Sequence, residues 1–122
     1  MKTAHADTID IKINPAISRE QLYTFYQNNN ICEEGYDIET ATCVLDHSSL
    51  IVGALEGDQL VGFARALFDG REAAVMEFCI ATEFQGENLK KSNGSLLEKD
   101  DSGLGKRLGK VFLDELVRMG TN

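Results

Sequence analysis

Leu50-Ile51-Val52-Gly53-Ala54-Leu55-Glu56-Gly57-Asp58-Gln59-Leu60-Val61-Gly62-Phe63-Ala64-Arg65-Ala66-Leu67-Phe68 is the most informative stretch of this chain. Two apolar runs flank Glu56-Gly57-Asp58-Gln59, and a short Gly-Asp turn between such runs predicts two antiparallel strands. A further turn, Asp69-Gly70-Arg71, leads into Ala73-Ala74-Val75-Met76-Glu77-Phe78-Cys79-Ile80-Ala81. That run is mostly apolar, which predicts a third strand lying centrally in the sheet and buried on both faces.

Upstream, Ile9-Asp10-Ile11-Lys12-Ile13 alternates with period two and predicts a strand with its isoleucines on one face, ended by Asn14-Pro15. Ser18 with Gln21 three residues later forms a capping box for a helix through about Gln27, with Leu22, Phe25 and Tyr26 on its apolar side. Asn28-Asn29-Asn30 stops that helix, and a second, weaker pattern runs from about Asp37 to Leu45. Downstream, residues Glu87 to Asp101 mix charges around Asn93-Gly94-Ser95 without periodicity and read as a surface loop. Leu104, Leu108, Val111, Phe112 and Leu116 then recur at helical spacing up to Met119-Gly120. A strand, one or two helices, three strands and a helix, in that order, define a mixed α/β (α+β) class.

The chain has 122 residues, room for one domain, and a formal net charge of −8. That charge repels phosphate backbones and anionic headgroups, so neither nucleic acid nor a membrane surface is an expected partner. An acidic protein favours cationic substrates such as amines, and acidity for solubility alone is the plainer alternative. Cys32, Cys43 and Cys79 are odd in number and lack Cys-x-x-Cys spacing, so no disulfide framework and no metal site is expected. The N-terminus lacks the apolar core of a signal peptide and no apolar run reaches membrane-spanning length, which makes the cytoplasm the expected location.

Chemistry concentrates where Ser102-Gly103-Leu104-Gly105-Lys106-Arg107 opens the last helix. Glycines let an anion approach the unpaired backbone N–H groups, the helix dipole favours negative charge, and Lys106 and Arg107 add cations. A glycine-rich helix start capped by Ser102 is the other open reading.

The order of elements and these residues together resemble the GNAT superfamily of N-acetyltransferases. Its pyrophosphate signature, Gln/Arg-x-x-Gly-x-Gly/Ala, begins here at Gln85-Gly86 and is completed by Ser102-Gly103-Leu104-Gly105, with the fifteen residues Glu87 to Asp101 inserted between. Leu60-Val61-Gly62-Phe63-Ala64-Arg65 before Asp69-Gly70, and Glu77-Phe78-Cys79-Ile80 before Glu83-Phe84-Gln85-Gly86, look like the family's third and fourth strands. The resemblance implies a single acetyl-CoA-binding domain over residues 1–122 with a mainly antiparallel sheet flanked by helices. It also implies that the family's later elements, a fifth strand, a helix and a final strand pair, are missing. Acetyl-CoA would be the co-substrate, held through Gln85, Gly86, Gly103, Leu104, Gly105, Lys106 and Arg107, with the backbone of Phe78, Cys79 and Ile80 pairing with the pantetheine arm. The implied reaction is direct transfer of acetyl to a primary amine, small-molecule or peptide, without a metal.

Such a reaction needs a base for the ammonium proton and a donor on the thioester carbonyl. Glu77 is the candidate base, since apolar neighbours strengthen a carboxylate as a proton acceptor; a carboxylate satisfied by backbone donors or a lysine, or turned away from the cleft, is the alternative. Glu33, Glu34 and Tyr36 fall in the region that lines the acceptor site in similar proteins, and a solvated acidic turn is the alternative there. Tyr23, Tyr26 and Tyr36 are expected to pack rather than act as the general acid. Cys79 reads as a buried structural cysteine. The early end of the chain raises two further expectations: a non-catalytic remnant serving as a dimeric interaction module, whose uncovered sheet edge invites a homodimer, or a fragment of a longer reading frame.

Overall fold

The computed structural model describes residues 8–29, 31, 35–84 and 103–120. Its elements are β1 (Asp10–Ile13), α1 (Arg19–Asn28), α2 (Ile38–His47), β2 (Leu50–Glu56), β3 (Gln59–Phe68), β4 (Ala73–Ile80), a 3-10 turn (Thr82–Phe84) and α3 (Leu104–Met119). The strands form one antiparallel sheet in the order β1-β2-β3-β4. Among the described residues no helix is long and apolar enough to cross a membrane. The inserted segment 87–101 lies outside the described residues.

Local signals account for most boundaries. Ser18 accepts from the Gln21 backbone while the Gln21 side chain accepts from the Ser18 backbone, the reciprocal pair that satisfies two orphan donors of α1. Asp37 and Thr40 do the same for α2. The β2–β3 turn closes over Gly57 at φ +62°, a backbone conformation that favours glycine.

The sheet is covered on both faces. Leu22, Phe25 and Tyr26 of α1 and Ala41 of α2 pack with Ile51, Val61 and Phe63. On the other face Leu108, Phe112 and Leu116 of α3 pack with Leu50, Val52, Ala64 and Ala66. Full burial of a side chain such as Phe112 contributes roughly 1.5–3 kcal/mol, so packing rather than propensity holds α3 in place. Small residues set its close approach: a Cβ added to Gly62 would lie 3.3 Å from Leu108 Cδ2, and one added to Gly109 would lie 3.4 Å from Phe78 Cζ.

The third strand of the sequence reading, β4, is corrected by the structure. It is the last strand of the described sheet, not a central one, and Val75 and Met76 are 53% and 46% exposed. An apolar run reports burial on average and cannot tell a central strand from an edge strand half covered by a helix. The isoleucines read as one face of the first strand also divide: Ile9, just before β1, is buried, while Ile13 is 45% exposed at the other edge.

Two bulges shape the sheet. Val61 is unpaired between the Ala54–Gly62 and Leu55–Leu60 partners, and Met76 is unpaired between Arg65–Glu77 and Ala66–Val75. In a regular strand Val75 and Glu77 would share a face. The extra residue puts Val75 opposite Ala66 on the α3 side and Glu77 opposite Arg65 on the α1 side.

Candidate active site

Glu77 therefore reaches the face covered by α1. Its Oε1 accepts from the Tyr26 hydroxyl at 2.8 Å and from Arg65 Nε at 2.9 Å. Arg65 Nη1 donates to Ser48 Oγ at 3.4 Å, and Ser48 Oγ donates to the Val44 carbonyl at the end of α2 at 2.7 Å. One network thus spans α1, α2, β3 and β4. The ion pair is largely withdrawn from water, with side-chain exposures of 18% for Arg65 and 13% for Glu77. Among the described residues both bonds to Glu77 end on Oε1, which leaves Oε2 as the oxygen toward which a proton can be directed.

Burial, with the hydrogen bond to Glu77 and its charge acting the same way, pushes the Tyr26 phenol far above its ordinary range, so the hydroxyl stays a donor at neutral pH. Burial first and the Glu77 charge second also push the Cys79 thiol up, which keeps it un-ionised and unsuited to nucleophilic work. Tyr36 lies edge-on to Tyr26, ring centroids 5.8 Å apart, and so joins the same side of the sheet. Of the other acceptor-side candidates, Glu33 and Glu34 lie outside the described residues.

The coenzyme-side candidates gather where β4 ends and α3 begins. The Ala81 N–H donates to the Val61 carbonyl at 2.8 Å. Antiparallel alternation then directs the Cys79 peptide toward β3 and turns those of Phe78 and Ile80 to the outer edge. Leu104 is fully buried in the cluster that contains Ala81 and Phe84, which brings the start of α3 to the end of β4. The N-cap of α3 is Gly103, at φ +76°, and glycine offers the first N–H groups no side-chain acceptor. Ser102, the cap in the alternative reading, lies outside the described residues, as do Gln85 and Gly86. Gly105 is half-buried and Lys106 exposed. Arg107 Nη2 donates to the Ile9 carbonyl at 3.0 Å and ties the first turn of α3 to the chain just before β1.

Sequence reasoning missed Arg65 and expected Tyr26 only to pack. The donors to Glu77 proved to be a guanidinium and a phenol, neither backbone groups nor a lysine. A signal for Arg65 existed: it is the lone charge in the run Leu60 to Phe68. Pairing it with Glu77 required the register, which the Met76 bulge shifts by one. A groove of about 360 Å³ lies elsewhere, between α1 and the β2–β3 turn, beside Gln21, Phe25 and Asp58, and no candidate residue lines it.

No family model and no curated protein matches the sequence. Solved structures do match the fold. A Staphylococcus aureus protein provisionally assigned as an acetyltransferase superposes with TM-score 0.69 at 13% identity, over 93% of this chain and 72% of its own. A GNAT-family acetyltransferase of Streptococcus pneumoniae superposes with TM-score 0.60 at 26% identity, over 87% of this chain and 66% of its own. A Deinococcus radiodurans protein, also provisionally assigned as an acetyltransferase, gives TM-score 0.62 at 25% identity, over 95% of this chain and 71% of its own. The antiparallel four-stranded sheet, the helices on its two faces and these likenesses identify the fold of this chain as that of the GNAT acetyltransferases.

Proposed function

We propose that this chain binds acetyl-CoA along the outer edge of β4 and at the N-terminus of α3, and that it transfers the acetyl group to a primary amine by direct attack. The observation that carries the reading is the placement of Glu77, with Oε1 occupied by Tyr26 and Arg65, on the strand whose next residues form that edge. The outward peptide of Phe78 suits an amide-bearing arm, and the glycine-capped helix start suits a pyrophosphate.

In this reading Glu77 Oε2 takes the proton that the amine loses as its nitrogen bonds to the acetyl carbon and the C–S bond breaks. Arg65 and Tyr26 keep the carboxylate in place as that proton arrives. Tyr36, beside Tyr26, forms part of the acceptor wall, and together with Glu33 and Glu34 would favour a cationic amine. We place the reaction in a reducing cytoplasm, in keeping with Cys43 and Cys79 being free thiols. Isothermal titration of the folded chain with acetyl-CoA tests the reading. Saturable binding, lost when Gly103 and Gly105 are replaced by valine, is the expected result, and no binding by folded protein overturns it.

Exposed apolar side chains favour a second reading, a homodimeric interaction module. Val75 and Met76 on β4 and Leu113 and Val117 on α3 are 53%, 46%, 57% and 68% exposed. A monodisperse monomer in light scattering at micromolar concentration, together with acetyl-CoA binding, decides against it.

A further inference from the structure

Hydrogen bonds from Tyr26 of α1 and from its C-cap Asn29 reach the β4 region, and they bracket the residues that the proposed function assigns to the coenzyme edge. At one end the Tyr26 hydroxyl donates to Glu77 Oε1 at 2.8 Å. At the other, Asn29 Oδ1 accepts from the backbone N–H of Thr82, also at 2.8 Å. Tyr26 and Asn29 are three residues apart, so they lie on one side of α1 and its C-cap, a turn from each other.

Asn29 is itself held. Its Nδ2 donates to the Phe25 carbonyl at 2.8 Å, which satisfies one of the acceptors left over at the end of a helix and fixes the direction of Oδ1. The Thr82 hydroxyl makes a longer contact to the same oxygen, at 3.4 Å. Thr82 opens the 3-10 turn that Phe84 N–H closes on the Ala81 carbonyl at 2.9 Å. Phe84 is buried in the cluster that holds Leu104, the first residue of α3. The 3-10 turn that follows β4, whose Phe84 packs with Leu104, is thus tied to the C-cap of α1 through the Asn29 amide oxygen.

We propose that Asn29 is a positioning residue for coenzyme binding: by holding the Thr82 N–H it aligns the β4 edge with the N-terminus of α3, so that one extended ligand can engage both. The inference rests on the reading of this region as an acetyl-CoA site. The Asn29–Thr82 bond is exposed to solvent, so water can take its place at little cost in stability. Alignment, rather than folding, is what its loss removes.

The test is isothermal titration with acetyl-CoA of the wild-type chain, Asn29→Ala and Asn29→Asp, with melting temperatures of all three. Salt at about 0.3 M screens the charge that aspartate introduces. Asn29→Ala is expected to bind roughly five- to tenfold more weakly, while Asn29→Asp, which keeps an acceptor oxygen for Thr82 but gives up the Nδ2 bond to the Phe25 carbonyl, recovers at least about half of that loss, and all three melt within a few degrees. Equal binding by Asn29→Ala and wild type overturns the proposal and leaves the functional reading intact. Equal weakening in both variants, or an Asn29→Ala chain that does not fold, also overturns it. Absence of binding by folded wild type overturns the functional reading, and this inference with it.

Discussion

The Tyr26 hydroxyl of α1 donates a 2.8 Å hydrogen bond to Glu77 Oε1 of β4, across 51 residues of chain. That bond holds the helix covering one face to the strand at the sheet edge; burial first, and this bond second, raise the phenol above its ordinary value near 10. The unfolded chain therefore releases this proton from about pH 10 upward while the folded chain keeps it, so the contribution to stability is complete below pH 10 and falls as pH rises. Urea unfolding of wild type and Tyr26→Phe between pH 8 and pH 11 should show a cost of roughly 1.5–3 kcal/mol for the variant at pH 8. The gap should narrow above pH 10, and a constant gap would refute the assignment.

Arg65 and Glu77 form an ion pair in which neither side chain is more than 18% exposed. Removing one partner leaves a poorly solvated charge, so Arg65→Met should cost about 3 kcal/mol. Arg65→Met combined with Glu77→Leu should recover much of that loss. A double-mutant cycle in urea checks this, and strictly additive effects would show that the pair is not coupled.

If Glu77 is the base, Glu77→Gln should lower acetyl transfer by about 10²–10⁴-fold while acetyl-CoA affinity stays within about twofold. Steady-state kinetics beside isothermal titration measure the two effects separately. Unchanged turnover would remove Glu77 from the reaction.

Gly62 and Gly103 are both glycine, for different reasons. A Cβ on Gly62 would meet Ala54 Cβ at 3.0 Å and Leu108 Cδ2 at 3.3 Å, so Gly62→Ala should cost roughly 1–3 kcal/mol by overpacking. At Gly103 a Cβ meets nothing within 4 Å but φ is +76°, so Gly103→Ala should cost roughly 1–2 kcal/mol through backbone strain alone. Gly103→Asn, which tolerates that conformation better, should recover part of the loss, whereas no polar substitution should rescue Gly62.

Cys43 is exposed on α2, while the Cys79 thiol is partly buried and its ionisation is pushed up. Alkylation by iodoacetamide at pH 8, followed by peptide mass mapping, should label Cys43 well before Cys79. Faster labelling of Cys79 would contradict the burial of β4 against α1.

Much of the architecture was legible because its signals are local. The capping box at Ser18, the Gly57-Asp58 turn and the periodicity of Leu104, Leu108 and Phe112 each act within a turn or two of chain, and each marks an element close to where it lies. The glycine-rich start of α3 was legible for the same reason. The edge position of β4 was not, since Ala73 to Ile80 is as apolar as a central strand and only strand pairing distinguishes the two.

Sequence alone determined the four strands, the first and last helices and their order, left the second helix open, and put Glu77 as the carboxylate on the last of those strands, because propensity, capping and periodicity depend on neighbours in the chain. Only the tertiary structure decided what Glu77 touches. The Met76 bulge shifts the register by one residue, which turns Glu77 toward α1 and onto Arg65 and Tyr26. A one-residue shift in a strand moves a side chain to the opposite face, and no periodic pattern in the sequence records where that shift falls.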